Sequence, residues 1–92
     1  KWNQPAAQVR NFVRGLSPHP TAWSIFAGKN YKVFEVSIAD KQGNDQNPGS
    51  VETDNKNYLY IKTSDGWISV EELQPEGKRK MTIKDFFRGN KL

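Results

Sequence analysis

The stretch ELQPEGKRKMTIKDFFRG, residues 72–89, holds the densest concentration of charge in the chain: three consecutive cations, Lys78-Arg79-Lys80, between an alternating segment and a short helical pattern. Cations in a run bind phosphate by neutralising it, without reading base sequence. On an ordinary surface the same run is simply solvated, so its neighbours decide between the two. Other residue types with chemical potential lead nowhere. His19 is the only histidine, lies between Pro18 and Pro20, and has no cysteine or second histidine with which to share a zinc ion, so it reads as a spacer. Glu71 and Glu72 are adjacent on a strand pattern and point to opposite faces, which rules out an acid–base pair. Gly77-Lys78 resembles part of a phosphate loop, but Glu72 stands where the earlier glycine is required and no Ser or Thr follows the lysine. Serines and threonines lack a base to activate them. No catalytic residue, metal site or cofactor site is expected.

The distribution of charge favours the phosphate-binding reading. Residues 1–34 carry Lys1, Arg10, Arg14, Lys29 and Lys32 and no acid, a block of +5. Residues 35–76 set three lysines against nine acids, a block of −6, and residues 77–92 return to +5, with Asp85 the only acid among six bases. Scatter over a soluble surface seldom segregates charge in this way. If the two ends meet in space, they form one basic face. Arg10, Arg14, Lys29, Lys32 and Lys84 are therefore candidates alongside Lys78, Arg79 and Lys80, on charge pattern alone.

Ninety-two residues make one domain with a thin core, and 35% hydrophobic residues make it globular. The absence of cysteine excludes disulfides and thiolate metal sites and fits a reducing cytoplasm. No apolar run is long enough to cross a bilayer, and no signal-peptide pattern opens the sequence. The only methionine is Met81, and the chain opens with Lys1-Trp2-Asn3-Gln4-Pro5, so a piece of a longer protein is expected.

The elements that must position the cations follow from periodicity. Asn3 is an N-cap candidate with Pro5 in the first turn, and Val9, Phe12, Val13 and Leu16 fall on one stripe of a helix. Gly15 and Pro18-His19-Pro20 end it. Arg10 and Arg14 share a face beside that stripe. AWSIFA reads as a strand, GKN as a turn, and YKVFEVSIA as a longer strand with Phe34, Val36 and Ile38 on one face. Residues 40–49 are a polar loop, and a short strand surrounds Val51. NYLYIKT and WISVEEL form a hairpin through Ser64-Asp65-Gly66. Thr82 with Asp85 starts a last helix, with Ile83, Phe86 and Phe87 inward and Gly89 at its end.

Two helices around five short strands predict a mainly β fold: a small, open Greek-key barrel, OB-fold-like, flanked by an N-terminal and a C-terminal α-helix. Val9, Phe12, Val13, Phe34, Val36, Ile38, Leu59, Ile61, Leu73, Ile83 and Phe86 should share its core, with Met81 turned inward. Trp23, Trp67, Tyr58 and Tyr60 alternate on strands, where core or rim packing is favoured over a stacking platform for bases.

LQPEGKRKMTIKDFFRG resembles the closing signature of the methionyl-tRNA formyltransferase C-terminal domain family. There a strand ending Leu-Gln-Pro meets Gly-Lys-Lys/Arg-x-Met, and a helix with a Phe/Leu-x-x-Gly ending follows. AAQVRNFVRGLSPHPTAW is similar to the family's first helix and its Arg-Gly-Leu-x-Pro-x-Pro-x-Ala-Trp exit. NPGSV before a strand, and TSDGWISVEEL in place of the family's Gly-Asp-Gly hairpin, extend the resemblance to essentially all 92 residues. His19 departs from it, standing where the family commonly carries an aromatic.

The resemblance implies a single tRNA-binding domain over residues 1–92, belonging to an enzyme that transfers a formyl group from 10-formyltetrahydrofolate to the methionyl group of initiator tRNA. Catalysis and folate binding then belong to an N-terminal Rossmann-like domain, which is this domain's partner in the same chain. By motif match, Lys78, Arg79 and Lys80 face the initiator methionyl-tRNA. A monomer without membrane contact is expected, and the 92 residues alone should show no formyl transfer. Alternatives are the equivalent domain of a sugar-nucleotide formyltransferase or of formyltetrahydrofolate dehydrogenase, a stand-alone OB-type RNA-binding module, or an interaction domain whose charges only solubilise it.

Overall fold

A computed structural model describes residues 2–16, 23–41 and 46–92, with the side chains of Arg14, Leu16, Trp23, Ser24 and Phe26 outside the description. His19 and its flanking prolines also lie outside the described residues. The elements are α1 (Ala6–Leu16), β1 (Trp23–Phe26), β2 (Lys29–Ala39), β3 (Val51–Thr53), β4 (Leu59–Lys62), β5 (Trp67–Pro75), β6 (Met81–Thr82) and α2 (Ile83–Gly89). The strands pair antiparallel in the order β1-β2-β5-β4-β3, and β6 pairs off β5. β3, β4 and β5 are sequential neighbours, while β2, joined to β3 by the long connection, lies beside β5. That is Greek-key connectivity, and the sheet remains open and OB-like between its two helices. Five of the strands are those expected; β6, only two residues long, is additional.

One core unites both helices with the sheet: Ala6, Val9 and Val13 from α1, Tyr31, Val33 and Val36 from β2, Leu59 and Ile61 from β4, Ile68, Val70 and Leu73 from β5, and Ile83, Phe86 and Phe87 from α2. Each is largely withdrawn from water, and burying the Val, Leu, Ile and Phe side chains among them stabilises the fold by about 1.5–3 kcal/mol apiece before the entropy cost. Phe86 meets Tyr31 edge-to-face at 5.8 Å, joining α2 to β2.

Three expected core residues fall elsewhere. Phe12 is 48% exposed and Ile38 47% exposed, and Phe34 is only half-buried. For Phe34 the cause is a pair of compensating irregularities in the β2–β5 ladder. Val33 faces Leu73, Glu35 faces Glu72, and Val36 faces Val70, so each strand carries one extra residue at this point. An extra residue breaks the alternation. The inward set on β2 becomes Tyr31, Val33 and Val36, and Phe34 leaves the core. Ile38 keeps Val36's phase opposite Ile68 but lies next to the strand's end. On α1 the covered stripe is Ala6, Val9 and Val13, and Phe12 lies on its margin.

The turn between β1 and β2 also differs from GKN. Phe26 pairs with Lys29, leaving Ala27 and Gly28 as a two-residue turn with φ of 53° and 75°. Two successive positive φ values match the right-handed twist of a tight hairpin. Lys29 and Asn30 are therefore already in the ladder.

The start of α1 is fixed from a distance. Pro5 occupies the cap position, its carbonyl accepting from Gln8 N at 2.9 Å and Val9 N at 3.1 Å. The expected Asn3 cap is replaced by Asp65 in the β4–β5 turn, whose Oδ1 accepts from Ala6 N at 2.9 Å. Ser64 N donates to the Gln4 carbonyl at 3.0 Å. α1 has no acid in its own first turn, so Asp65 supplies the negative charge that the helix N-terminus favours. Thr82, by contrast, caps α2 as expected, its Oγ1 accepting from Asp85 N at 3.3 Å.

Candidate nucleic-acid interface

The cation run leaves the sheet through the turn Pro75-Glu76-Gly77-Lys78, closed by Lys78 N donating to the Pro75 carbonyl at 3.0 Å. Gly77 takes φ of 79° at the third position, a conformation that L side chains resist. Gln74 reaches across the same loop, and its Nε2 donates to the Lys78 carbonyl at 2.8 Å. Beyond the cations, Met81 pairs with Leu73 and packs half-buried against the core. The turn is thus closed by its backbone, braced by a neutral amide and anchored by a thioether, with no charge consumed in the process. Lys78, Arg79 and Lys80 are all exposed.

β2 runs alongside. Lys29, at its first residue, is exposed, and together with Lys78 it lines a groove of about 370 Å³. Lys32 pairs across the ladder with Gln74, the residue that braces the turn. The Lys80 ammonium lies 5.1 Å from the centre of the Phe34 ring. Phe34, displaced from the core by the bulge, therefore carries a cation on its face. Lys29 thus shares a groove with Lys78, whereas Lys32 lies in the opposite phase of β2, the phase of Phe34, on whose ring Lys80 rests.

The remaining candidates lie further out. Lys84 is exposed on α2, two residues past β6. Arg10 is half-buried on α1, and its Nε is enclosed without a hydrogen-bond partner among the described residues. Arg14 is helical, and its side chain lies outside the description. Sequence reasoning missed Gln74 and Phe34, which position the cations. Gln74 was visible as the polar residue directly before Pro75, but its partner is a backbone carbonyl that no spacing announces.

The acidic middle block behaves differently. Asp54 Oδ1 accepts from Asn57 N at 2.7 Å and Lys56 N at 2.9 Å, and these backbone hydrogen bonds, led by that from Asn57, hold its carboxyl down at about 2. Glu71 accepts from Ser37 Oγ at 2.8 Å, and Glu52 pairs with Lys41 at 2.8 Å. The Lys41 ammonium also lies 5.1 Å from the buried Trp67 ring. Lys62 is only 2% exposed, its ammonium donating to the Thr63 carbonyl. The Tyr58 and Tyr60 rings pack on each other 4.4 Å apart. Desolvation, reinforced by the Glu52 and Asp54 carboxylates, pushes the Tyr58 phenol up. A phosphate chain would be repelled there, so this end of the sheet is a poor platform for bases.

Among the described residues no three His, Asp or Glu side chains converge to hold a metal ion, and no helix is long and apolar enough to cross a membrane. Fold and motif placement define a class: residues 1–91 match the formyl transferase C-terminal domain, and the chain belongs to that family.

Its relatives narrow the class further. The chain is 39% identical to the methionyl-tRNA formyltransferase of Parabacteroides distasonis over 94 residues, covering 98% of this chain and 29% of that protein. Against the methionyl-tRNA formyltransferase of Chlorobium luteolum it is 42% identical over 90 residues, covering 96% and 28% respectively. That of Streptococcus agalactiae is 39% identical over 88 residues, covering 96% and 27%. The chain spans less than a third of the length of these relatives.

Proposed function

We propose that this domain helps seat initiator methionyl-tRNA for a methionyl-tRNA formyltransferase, with Lys78, Arg79 and Lys80 taking backbone phosphates and Lys29 and Lys32 extending the contact. Arg10, Arg14 and Lys84 serve as outlying contacts. The formyl group comes from 10-formyltetrahydrofolate, which, with the catalytic residues, belongs to an N-terminal domain of the same enzyme working as a monomer in the cytoplasm. The observation that supports this most is the exposed cation run on a turn closed by its own backbone and by Gln74, with Lys80 alone resting on a ring, that of Phe34. The two ion pairs found among the described residues, Lys41–Glu52 and Arg88–Asp85, leave it unneutralised.

Phosphate neutralisation dominates such an encounter, so binding is weak for the domain alone and falls steeply with salt. The test is tRNA affinity by filter binding for the variant Lys78→Glu, Arg79→Glu, Lys80→Glu, with thermal melting as control. Losing three contacts of roughly 1 kcal/mol each weakens binding well over tenfold, while surface charges of this kind leave stability nearly unchanged. Unaltered affinity in the folded triple variant would reduce the run to solvated charge.

A further inference from the structure

The groove between the β1–β2 turn and the β5–β6 turn contains one residue that phosphate binding does not explain. Its walls are Gly28, Lys29 and Asn30 on one side and Pro75, Glu76 and Lys78 on the other. Tyr31 and Phe86, both buried, form its floor, and Asn90 closes the end. At about 370 Å³ it lies near the lower end of the volumes that accept small ligands, about 300–1,000 Å³. A carboxylate in a phosphate-binding rim opposes binding unless it has another task. Glu76 is exposed and takes part in neither ion pair found among the described residues. Its one hydrogen bond in the groove, from Asn30 Nδ2 to Oε1, is stretched to 3.5 Å. That is the limit of such a bond, and a better donor would displace it readily.

From this arrangement we infer that the groove takes a single unpaired nucleotide of an RNA strand, its phosphate between Lys29 and Lys78 and its base edge donating to Glu76. The inference rests on the RNA-binding reading above and adds base preference to it. An acceptor-only carboxylate favours a base that presents an amino group, such as cytosine through N4, and disfavours uracil, which presents O4 at the same place. Asn30, once released from Glu76, has both amide functions free for the ligand. Asn90 offers less, because its Nδ2 already donates to the Phe86 carbonyl at 2.9 Å. Arg79 and Lys80, exposed and next in sequence to Lys78 but outside the groove lining, are available for neighbouring phosphates, which favours a strand over a free nucleotide.

The test uses fluorescence anisotropy with equal-length oligocytidylate and oligouridylate and with tRNA, on the unaltered chain and on Glu76→Gln. The unaltered chain should bind oligocytidylate about tenfold more tightly than oligouridylate, the lower part of the range for discrimination by one base contact. Glutamine can present either an amide donor or a carbonyl acceptor, so Glu76→Gln should reduce the preference to less than about twofold. Affinity for oligocytidylate should fall toward that for oligouridylate, whose own binding should hold or rise because one repulsive charge is gone. Free CMP should compete poorly; competition equal to that of the strand would overturn the assignment to RNA. Retained tRNA binding with equal affinity for the two oligonucleotides, or a preference that survives Glu76→Gln, would overturn the groove while leaving the basic turn standing. Failure to bind any RNA would overturn both.

Discussion

The loop joining β3 to β4 and the turn joining β5 to β6 are both short, polar and charged, and they use charge in opposite ways. In the first, Asp54 is consumed by its own loop: both carboxylate oxygens accept from residues 56–58, Asn55 takes φ of 59°, and Asn55 Oδ1 accepts from Leu92 N at 2.8 Å. In the second, the structural bonds come from backbone, glycine and the neutral Gln74, and the three cations stay exposed, Lys80 with its ammonium over the Phe34 ring. Charge that closes a loop cannot also be offered to a partner. The difference separates carboxylates that maintain the fold from cations available for binding, although both appear in the sequence as polar breaks between strands.

Substitutions that separate folding from binding sharpen this contrast. The largest effect on stability is expected from Asp65→Ala, which removes the distant cap of α1 and should cost up to about 2 kcal/mol in denaturant unfolding. RNA affinity of the folded fraction should stay the same; a matching loss of affinity would show that the two kinds of charge are not separable.

Acid titration probes the first loop. Asp54's folded pKa of about 2 lies below its ordinary 3.8, so its contribution is fully present above that value and is lost as pH falls toward 2. Asp54→Asn should flatten the pH dependence of the melting temperature within that window and leave it alone above pH 5. An unchanged profile would mean that the loop bonds do not persist in solution.

Gln74→Ala probes the second. One neutral hydrogen bond is worth about 0.5–1.5 kcal/mol, and if about half of that is expressed in binding, RNA affinity should fall by about 1.5-fold to fourfold, because the cations lose their brace. Gln74→Glu retains an acceptor but no donor and should not restore it.

The smallest effect is a gain. Ala27 sits at φ 53°, and Ala27→Gly should raise stability by up to about 1 kcal/mol without affecting binding.

Much of this organisation was legible beforehand because it is local. The Asp65-Gly66 hairpin, the Thr82–Asp85 cap and the inward faces of Ile83, Phe86 and Phe87 each follow from a few neighbouring residues. What escaped depends on partners far along the chain. The phase of Phe34 is set by two compensating irregularities that hydrophobic alternation cannot reveal, since Phe34, Val36 and Ile38 alternate without a break. Asp65 caps a helix 59 positions away, and no motif spans that distance. The cation run itself was plain in the sequence, whereas its brace by Gln74 and its approach to Lys29 depend on how β2 and β5 register.

The proposed role of Lys78, Arg79 and Lys80 is to present positive charge to phosphate. Its most direct test is the slope of log affinity for tRNA against log salt, compared between the unaltered chain and Lys78→Ala, Arg79→Ala, Lys80→Ala. Each phosphate contact contributes roughly 0.7–0.9 to that slope, so removing three should make it shallower by about 2 to 3. Two parallel lines, with the melting temperature unchanged, would contradict the account.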